Sequence, residues 1–264
     1  MKTLFVAWQQ PISREWIPVA RLEHENGRFR FSYTRGVFRA QNFLPFNRMH
    51  QLDAIYESTS IFPLFANRII SKSRPEFKDY LRWLGLDTAS DDPLSILALT
   101  GGIRGTDSIE IFEPPSINEN TVLELSFFVR SLSHMPKEAI SHIGGLNPGD
   151  KLYLMRDCQN DFDENAVALR TGSQPFFIGF CPKYYAQDLN NLLSIESTDL
   201  QATVKSVNRD APLNMRLLCH VSAKVPLDFV PLTETDDFKC IEGDVPNEWK
   251  ALSLSLDAVL EDKV

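Results

Sequence analysis

Short apolar runs separated by turn residues fill the second half of the chain, and they restrict its fold more than any other feature. Between residues 121 and 226, helices are predicted only at 136–143 and from Pro182 onward. Many short strands with one or two helices are typical of small barrels, so residues 121–226 are predicted to form a small, partly open β-barrel. The predicted strands are 123–130, 151–156, 166–170, 176–180, 200–207 and 215–221.

The first 115 residues combine strand and helix signals, which predicts a mixed α+β domain. The Asn26-Gly27 pair between two strand-like runs indicates a hairpin. Residues 113–120 are polar, contain proline and lack periodicity, so we expect a linker there. Strands are predicted at 3–9, 17–22, 28–33 and 108–112, and helical segments at 60–71, from about 73 to 84, and at 93–99.

The negative charge of the chain is concentrated at its C-terminal end. The formal net charge is -8, and residues 227–264 contain ten acidic and three basic residues. The preceding body is nearly neutral, so it can bind a strand through a local groove, whereas strong non-specific binding to duplex DNA is not expected. Within the acidic tail, residues 246–260 have the apolar spacing of one amphipathic helix, which would dock on its own domain or on a partner.

Composition and motifs exclude several other classes of function. The four cysteines include no Cys-x-x-Cys pair, which predicts a reduced, cytoplasmic chain without a zinc site. No apolar run is long enough for a membrane span. Residues 101–105 are glycine-rich but lack the ending of a phosphate-binding loop, and no hydrolase or metalloprotease motif occurs. We therefore expect a protein that is not an enzyme and has no cofactor and no metal.

The polar segment 156–166 lies between two predicted strands and is the best candidate for a binding site. Asn160, Asp163 and Asn165 are residue types that form turns by bonding neighbouring amides. The segment also contains Phe162, whose ring could carry a stacked base, and a carboxylate can accept a hydrogen bond from a sugar hydroxyl. The loop alone is compatible with either interpretation.

Three motifs follow one another around this segment: Phe127-Phe128-Val129, then Asn160-x-Phe162-Asp163-x-Asn165-Ala166, then Ile178-Gly179-Phe180-x-Pro182-Lys183-x-x-Ala186. Together they closely resemble the HIRAN domain over residues 124–225. The resemblance implies an OB-like or SH3-like β-barrel that grips the 3′ end of single-stranded DNA. Such domains occur in helicase-like DNA-repair remodellers and as free-standing bacterial proteins.

The resemblance also implies roles for individual residues. Asp163 would bind the terminal 3′-hydroxyl, assisted by the backbone amide of Phe162. Asn160 would shape the pocket, and Lys183 would contact a phosphate. These residues form the centre of the expected site.

Three further positions depart from the DNA-binding members of the family. Ser133 and His134 stand where those members have an arginine and a stacking tyrosine, and Phe180 stands where they have a histidine. Ser133 cannot bind a phosphate as an arginine does. The rings of His134, Phe162 and Phe180 are expected to provide a stacking platform.

Residues 1–110 resemble, through looser motifs, the N-terminal subdomain of HipA-type kinases. The likeness rests on Val19-Ala20-Arg21-Leu22, on the segment Phe62-Pro63-Leu64-Phe65-Ala66-Asn67-Arg68 and on residues 106–110. It implies a folded interaction scaffold. The expected architecture is thus of the α+β class, with a scaffold at 1–115, a HIRAN-like barrel at 121–226 and the acidic tail at 227–264.

Two functions follow from these patterns. In the first, the barrel binds single-stranded DNA, including a 3′-hydroxyl end, in repair, defence or mobile-element control. In the second, the protein is an adaptor or regulatory subunit for a HipA-like kinase or a nuclease, and it binds that partner through the N-terminal domain or the C-terminal helix.

Overall fold

The computed structural model describes residues 1–87, 92–172, 174–195, 198–232, 236–241, 245–247 and 249–250, which fold as an α+β protein. The chain divides into two compact units that interleave along the sequence. The first comprises Met1–Ile69, Gly101–Pro114 and Thr233–Val264, and the second comprises Ile70–Thr100 and Pro115–Leu232. Within the described residues, none of the helices has the length and apolarity needed to cross a membrane.

A five-stranded antiparallel sheet forms the first unit. Its strands are β1 (Lys2–Gln9), β2 (Trp16–Glu25), β3 (Arg28–Tyr33), β4 (Tyr56–Ser58) and β5 (Ile109–Phe112), in the spatial order β4-β3-β2-β1-β5. Asn26 and Gly27 have φ angles of 50° and 74°, the left-handed values that a tight turn between β2 and β3 requires, so the predicted hairpin is present. The helix α1 is short, Pro63–Ala66, although the sequence predicted helix over 60–71.

Part of the acidic tail packs within this first unit. The ring of Phe238 contacts that of Phe5 with 5.1 Å between centroids, and Asp237 pairs with Arg39. The backbone amide of Ile241 donates to the carbonyl oxygen of Tyr33 at 3.1 Å. The tail that the sequence set apart as a third part therefore contributes residues 236–241 to the first unit. Most of the predicted terminal helix, residues 251–260, lies outside the described residues.

A seven-stranded antiparallel sheet forms the core of the second unit. The spatial order is β10-β9-β8-β11-β12-β7-β6. The bounds of the strands are β6 (Ser116–Ile117), β7 (Val122–Phe128), β8 (Lys151–Arg156), β9 (Val167–Thr171), β10 (Phe177–Phe180), β11 (Leu200–Val207) and β12 (Leu217–Lys224). The short strand β6 falls inside the segment that the sequence predicted as a linker.

The sheet closes on itself next to Arg130, just beyond β7. The amide of Arg130 donates to the carbonyl of Phe180 at 2.8 Å, and the amide of Phe180 donates back at 3.1 Å. Gly179 makes this approach possible, because its φ is 118° and an added Cβ would lie 2.3 Å from the carbonyl oxygen of Arg130. The predicted β-barrel is thereby confirmed.

Helices α2 (Phe77–Trp83), α3 (Pro93–Thr100), α4 (Lys137–Ile143) and α5 (Lys183–Leu193) belong to this second unit. The side-chain amide of Asn208 donates to the carbonyl of Trp83 at 2.8 Å, and the indole nitrogen of Trp83 donates to Asp210 at 3.2 Å. These bonds attach the end of α2 to the turn between β11 and β12. Residues 70–100 consequently group with the barrel, whereas the sequence predicted three consecutive parts.

Candidate nucleic-acid interface

The loop between β8 and β9 is ordered by its own side chains. Asn160 Oδ1 accepts hydrogen bonds from the amides of Phe162 at 3.0 Å and Asp163 at 3.1 Å, while its Nδ2 donates to Asp157 at 3.1 Å. Asp163 Oδ1 in turn accepts the amide of Asn165 at 3.1 Å. These residues therefore do form the turns that their types favour, and the turns fix the direction of Phe162 and Asp163.

Helix α5 holds both ends of this loop. Asn190 accepts a hydrogen bond from Nε of Arg156 and donates to Asn165 Oδ1 at 2.9 Å. Lys183 Nζ donates to the carbonyl oxygen of Phe162 at 3.0 Å. Asn190 itself is buried, whereas Asn165 is half-buried and Arg156 is exposed. Sequence reasoning placed Arg156 at the start of the candidate segment without a role of its own, and it did not single out Asn190, because a polar residue on a helix gives no sign of which distant loop it contacts.

Phe162 and Asp163 present different groups to solvent. The residue Phe162 is 86% exposed, so its ring is open to a stacked base. Its amide, however, already donates to Asn160, and the implied role of that amide at a 3′-hydroxyl would require the bond to break. The carboxylate of Asp163 is half-buried, and none of the described residues donates to its Oδ2. Oδ2 of Asp163 thus remains available as an acceptor with respect to the described residues.

A buried thiol lies near the same carboxylate. Burial raises the pKa of Cys181 well above its ordinary value, and the negative charge of Asp163 raises it further. The thiol of Cys219 is also buried in the barrel, and burial raises its pKa as well. Both thiols are therefore protonated and unreactive, and they serve the barrel as apolar packing groups.

The remaining predicted site residues lie on two neighbouring segments. Phe180 ends β10 and Lys183 begins α5, and of these two only Lys183 has a contact with the loop among the described residues. Ser133 and His134 are exposed on a 3₁₀ turn, Leu132–His134, two residues beyond the closure of the barrel. In the described structure the rings of His134, Phe162 and Phe180 do not contact one another, so they do not form one continuous stack. Their joint platform stays a prediction.

Three basic side chains on the barrel are not paired with carboxylates of the described residues. In the first unit, Arg39 pairs with Asp237 and Arg68 pairs with Asp107 at 2.6 Å. By contrast, Lys151, Arg170 and Lys183 form no ion pair with any described residue; they contact ring faces and carbonyl oxygens instead. Unpaired cations on a surface attract phosphates, so the barrel can bind an anionic strand although the whole chain is acidic.

No group of three or more His, Cys, Asp or Glu side chains is placed to hold a metal ion in the part of the chain that the structure describes.

Comparison with known families identifies the barrel. Residues 122–226 match the family model of the HIRAN domain. This part of the chain is a HIRAN domain. The match begins at the first residue of β7 and ends just after β12, so it covers the closed barrel and α5. The resemblance of residues 1–110 to the HipA-type N-terminal subdomain stays a prediction.

Two solved structures are similar to part of this chain. The first is a protein from Lactobacillus plantarum, with 17% identity and a TM-score of 0.32, which covers 38% of this chain and 89% of that chain. The second is the HIRAN domain of human HLTF, with 16% identity and a TM-score of 0.31, which covers 40% of this chain and 81% of that chain. No curated protein matches the chain.

Proposed function

We propose that the HIRAN domain binds single-stranded DNA and holds its 3′-hydroxyl end at Asp163. The observation that carries this proposal is Oδ2 of Asp163, to which none of the described residues donates, on a carboxylate whose loop is fixed by Asn160 and by α5. A carboxylate accepts a hydrogen bond from a hydroxyl, whereas it repels the negative charge of a 3′-phosphate. This chemistry distinguishes the two kinds of strand end.

Lys183 is the proposed phosphate contact. Its ammonium group donates one hydrogen bond to the carbonyl of Phe162 and has two further hydrogens for a ligand. This lysine contacts the residue next to Asp163, so it compensates in part for Ser133, which cannot bind a phosphate as an arginine does. The exposed ring of Phe162 is the proposed platform for the terminal base.

The proposed role is recognition without catalysis, in repair, defence or mobile-element control. The interface offers an acceptor, a cation and aromatic surface, which are groups that bind a strand end. We also propose that any chemistry on that end is performed by another protein.

Fluorescence anisotropy of a 5′-labelled oligonucleotide tests the proposal. Matched strands with a 3′-hydroxyl or a 3′-phosphate are titrated with the full chain at low and at high salt. A hydrogen bond to a charged group contributes about 1.5–3 kcal/mol, so the hydroxyl end should bind about tenfold to a hundredfold more tightly. The readout is the ratio of the affinities for the 3′-hydroxyl strand and the 3′-phosphate strand. The absolute affinities are not used, because a substitution that removes a negative charge from the protein changes the binding of both strands.

Asp163→Ala should bring that ratio close to one, while Asp161→Ala serves as the matched control. Asp161 is an exposed neighbour in the same loop and makes no hydrogen bond with the described residues. Equal affinity of the wild-type protein for the two ends would show that the end is not captured. Lack of any binding at low salt would exclude the proposal and favour the adaptor function.

A further inference from the structure

The outer face of β8, β9 and β10 carries a row of alternating aromatic and basic side chains, outside the loop that holds Asp163. Phe177, Arg170 and Tyr153 are direct cross-strand partners in the register of the three strands, and Lys151 precedes Tyr153 on β8 by two residues. These four residues are called the aromatic–cation row below. From it we infer a second contact surface for the same single-stranded DNA, away from the 3′ end. The inference rests on the proposed function.

The row faces solvent rather than the barrel core. Tyr153 is 37% exposed and Phe177 is 38% exposed, whereas their chain neighbours Leu152 and Ile178 are fully buried. Successive side chains of a strand point to opposite faces, so this alternation places the row on the outside of the barrel. Two large aromatic residues are thus partly exposed on one solvent-facing patch.

The side chains of the row are held in place by one another. The guanidinium carbon of Arg170 lies 4.2 Å from the centre of the Tyr153 ring, and Lys151 Nζ lies 5.1 Å from it. Arg170 also donates to the carbonyl oxygen of Thr171 at 3.0 Å. A cation that is already positioned loses less conformational freedom on binding, which favours association.

The chemistry of the row matches a nucleic-acid strand. Neither Lys151 nor Arg170 is paired with a carboxylate among the described residues, so both can meet phosphates. Bases stack on aromatic rings and on guanidinium planes, and this stacking tolerates any sequence. An acidic peptide would satisfy the cations but would leave the exposed rings without comparable partners.

The row is continuous with the proposed end site. The rings of Phe177 and Phe180 contact each other with 5.2 Å between centroids, and Phe180 lies three residues before Lys183. An OB-like fold binds about 4–16 nucleotides, which is more than one loop can hold. A strand whose end lies at Asp163 would therefore continue past Phe180 onto the row.

A cavity of about 990 Å³ lies at the other end of the row. Lys151 and Tyr153 line it together with Lys137, His142 and Phe176. The rings of His142 and Phe176 are 4.6 Å apart, so aromatic surface extends beyond the strands. The carboxylates of Glu138 and Asp150 also line this cavity. In this inference the DNA strand leaves the domain over the basic and aromatic residues of the cavity.

The test compares long and short strands that share one 3′-hydroxyl end. Anisotropy is measured with a labelled trinucleotide and with an oligomer of about 12 nucleotides, a length within the range for OB-like folds. Tyr153→Ala and Phe177→Ala should each weaken binding of the long strand by about tenfold, given the usual contribution of a stacked base. Binding of the trinucleotide and the preference for a hydroxyl over a phosphate end should stay unchanged.

Tyr153→Phe is the matched control, because it keeps the ring and should bind the long strand as the wild type does. Lys151→Ala should reduce the dependence of the long-strand affinity on salt by about 0.7 in the log–log slope, as expected for one phosphate contact on a single strand. A photoreactive base placed several nucleotides from the 3′ end should crosslink to β8 or β10.

The outcomes separate this inference from the proposed function. If the Ala variants bind the long strand as tightly as the wild type while end preference persists, the second surface is wrong and the end site stands. If they weaken both lengths equally, the rings act through the fold, which also overturns the inference. If the wild type binds neither strand, the proposed function fails and the second surface fails with it.

Discussion

Asn190→Ala should release the loop between β8 and β9 from α5. The side chain of Asn190 bridges Arg156 and Asn165 in a buried position, so its removal leaves both partners without this bond. One lost bond involves a charged group and contributes about 1.5–3 kcal/mol, and the other contributes about 1 kcal/mol. The local opening of the loop should therefore become easier by about 3 kcal/mol.

Hydrogen exchange of the amides of Phe162 and Asp163, followed by NMR, measures this change. Both amides are protected by Asn160 within the loop, and a loss of about 3 kcal/mol corresponds to exchange about a hundredfold faster. Asn190→Asp separates the two bonds, because it keeps an acceptor for Arg156 and loses only the donor to Asn165. It should accelerate exchange by about fivefold. Exchange in the Ala variant that stays within about threefold of the wild type would refute the bridge as the anchor of the loop.

Two further measurements test the barrel. Gly179→Ala should lower the melting temperature strongly, because the new Cβ would overlap the carbonyl oxygen of Arg130 and the φ of Gly179 is left-handed. The control is Gly172→Ala, whose new Cβ would meet its nearest atom only at 3.7 Å. Equal melting temperatures for the two variants would contradict the role of Gly179 in closing the barrel. When the folded protein is alkylated and analysed by mass spectrometry, the exposed Cys158 should be modified first. The buried thiols of Cys181 and Cys219, whose pKa values are raised, should stay unmodified, and early modification of Cys181 would contradict this expectation.

Strand positions were predicted well wherever burial alternates between turn residues. The bounds of β3, β8 and β11 coincide with the predicted ranges 28–33, 151–156 and 200–207. In these segments a local pattern determines the outcome, because turn residues end the strand and alternate side chains enter the core.

Helix prediction failed where a distant contact intervenes. Residues 60–71 have helical periodicity, but α1 ends at Ala66. The buried side chain of Arg68 donates to the carbonyl of Gly102 at 2.9 Å and pairs with Asp107. A buried cation requires such partners, and their position depends on how the chain returns after residue 100. The local sequence does not contain that information.

The sequence by itself determined the barrel, the HIRAN domain and the polar loop with Asp163, because these depend on alternation, turn residues and a local motif. Only the tertiary structure decided which groups around the loop act together. It showed that Asn190 anchors the loop, that the amide of Phe162 is already bonded, and that Tyr153 and Phe177 share one outer face. The physical reason is that strand register and barrel closure join residues that are distant in the chain, and these are set by packing of the whole unit.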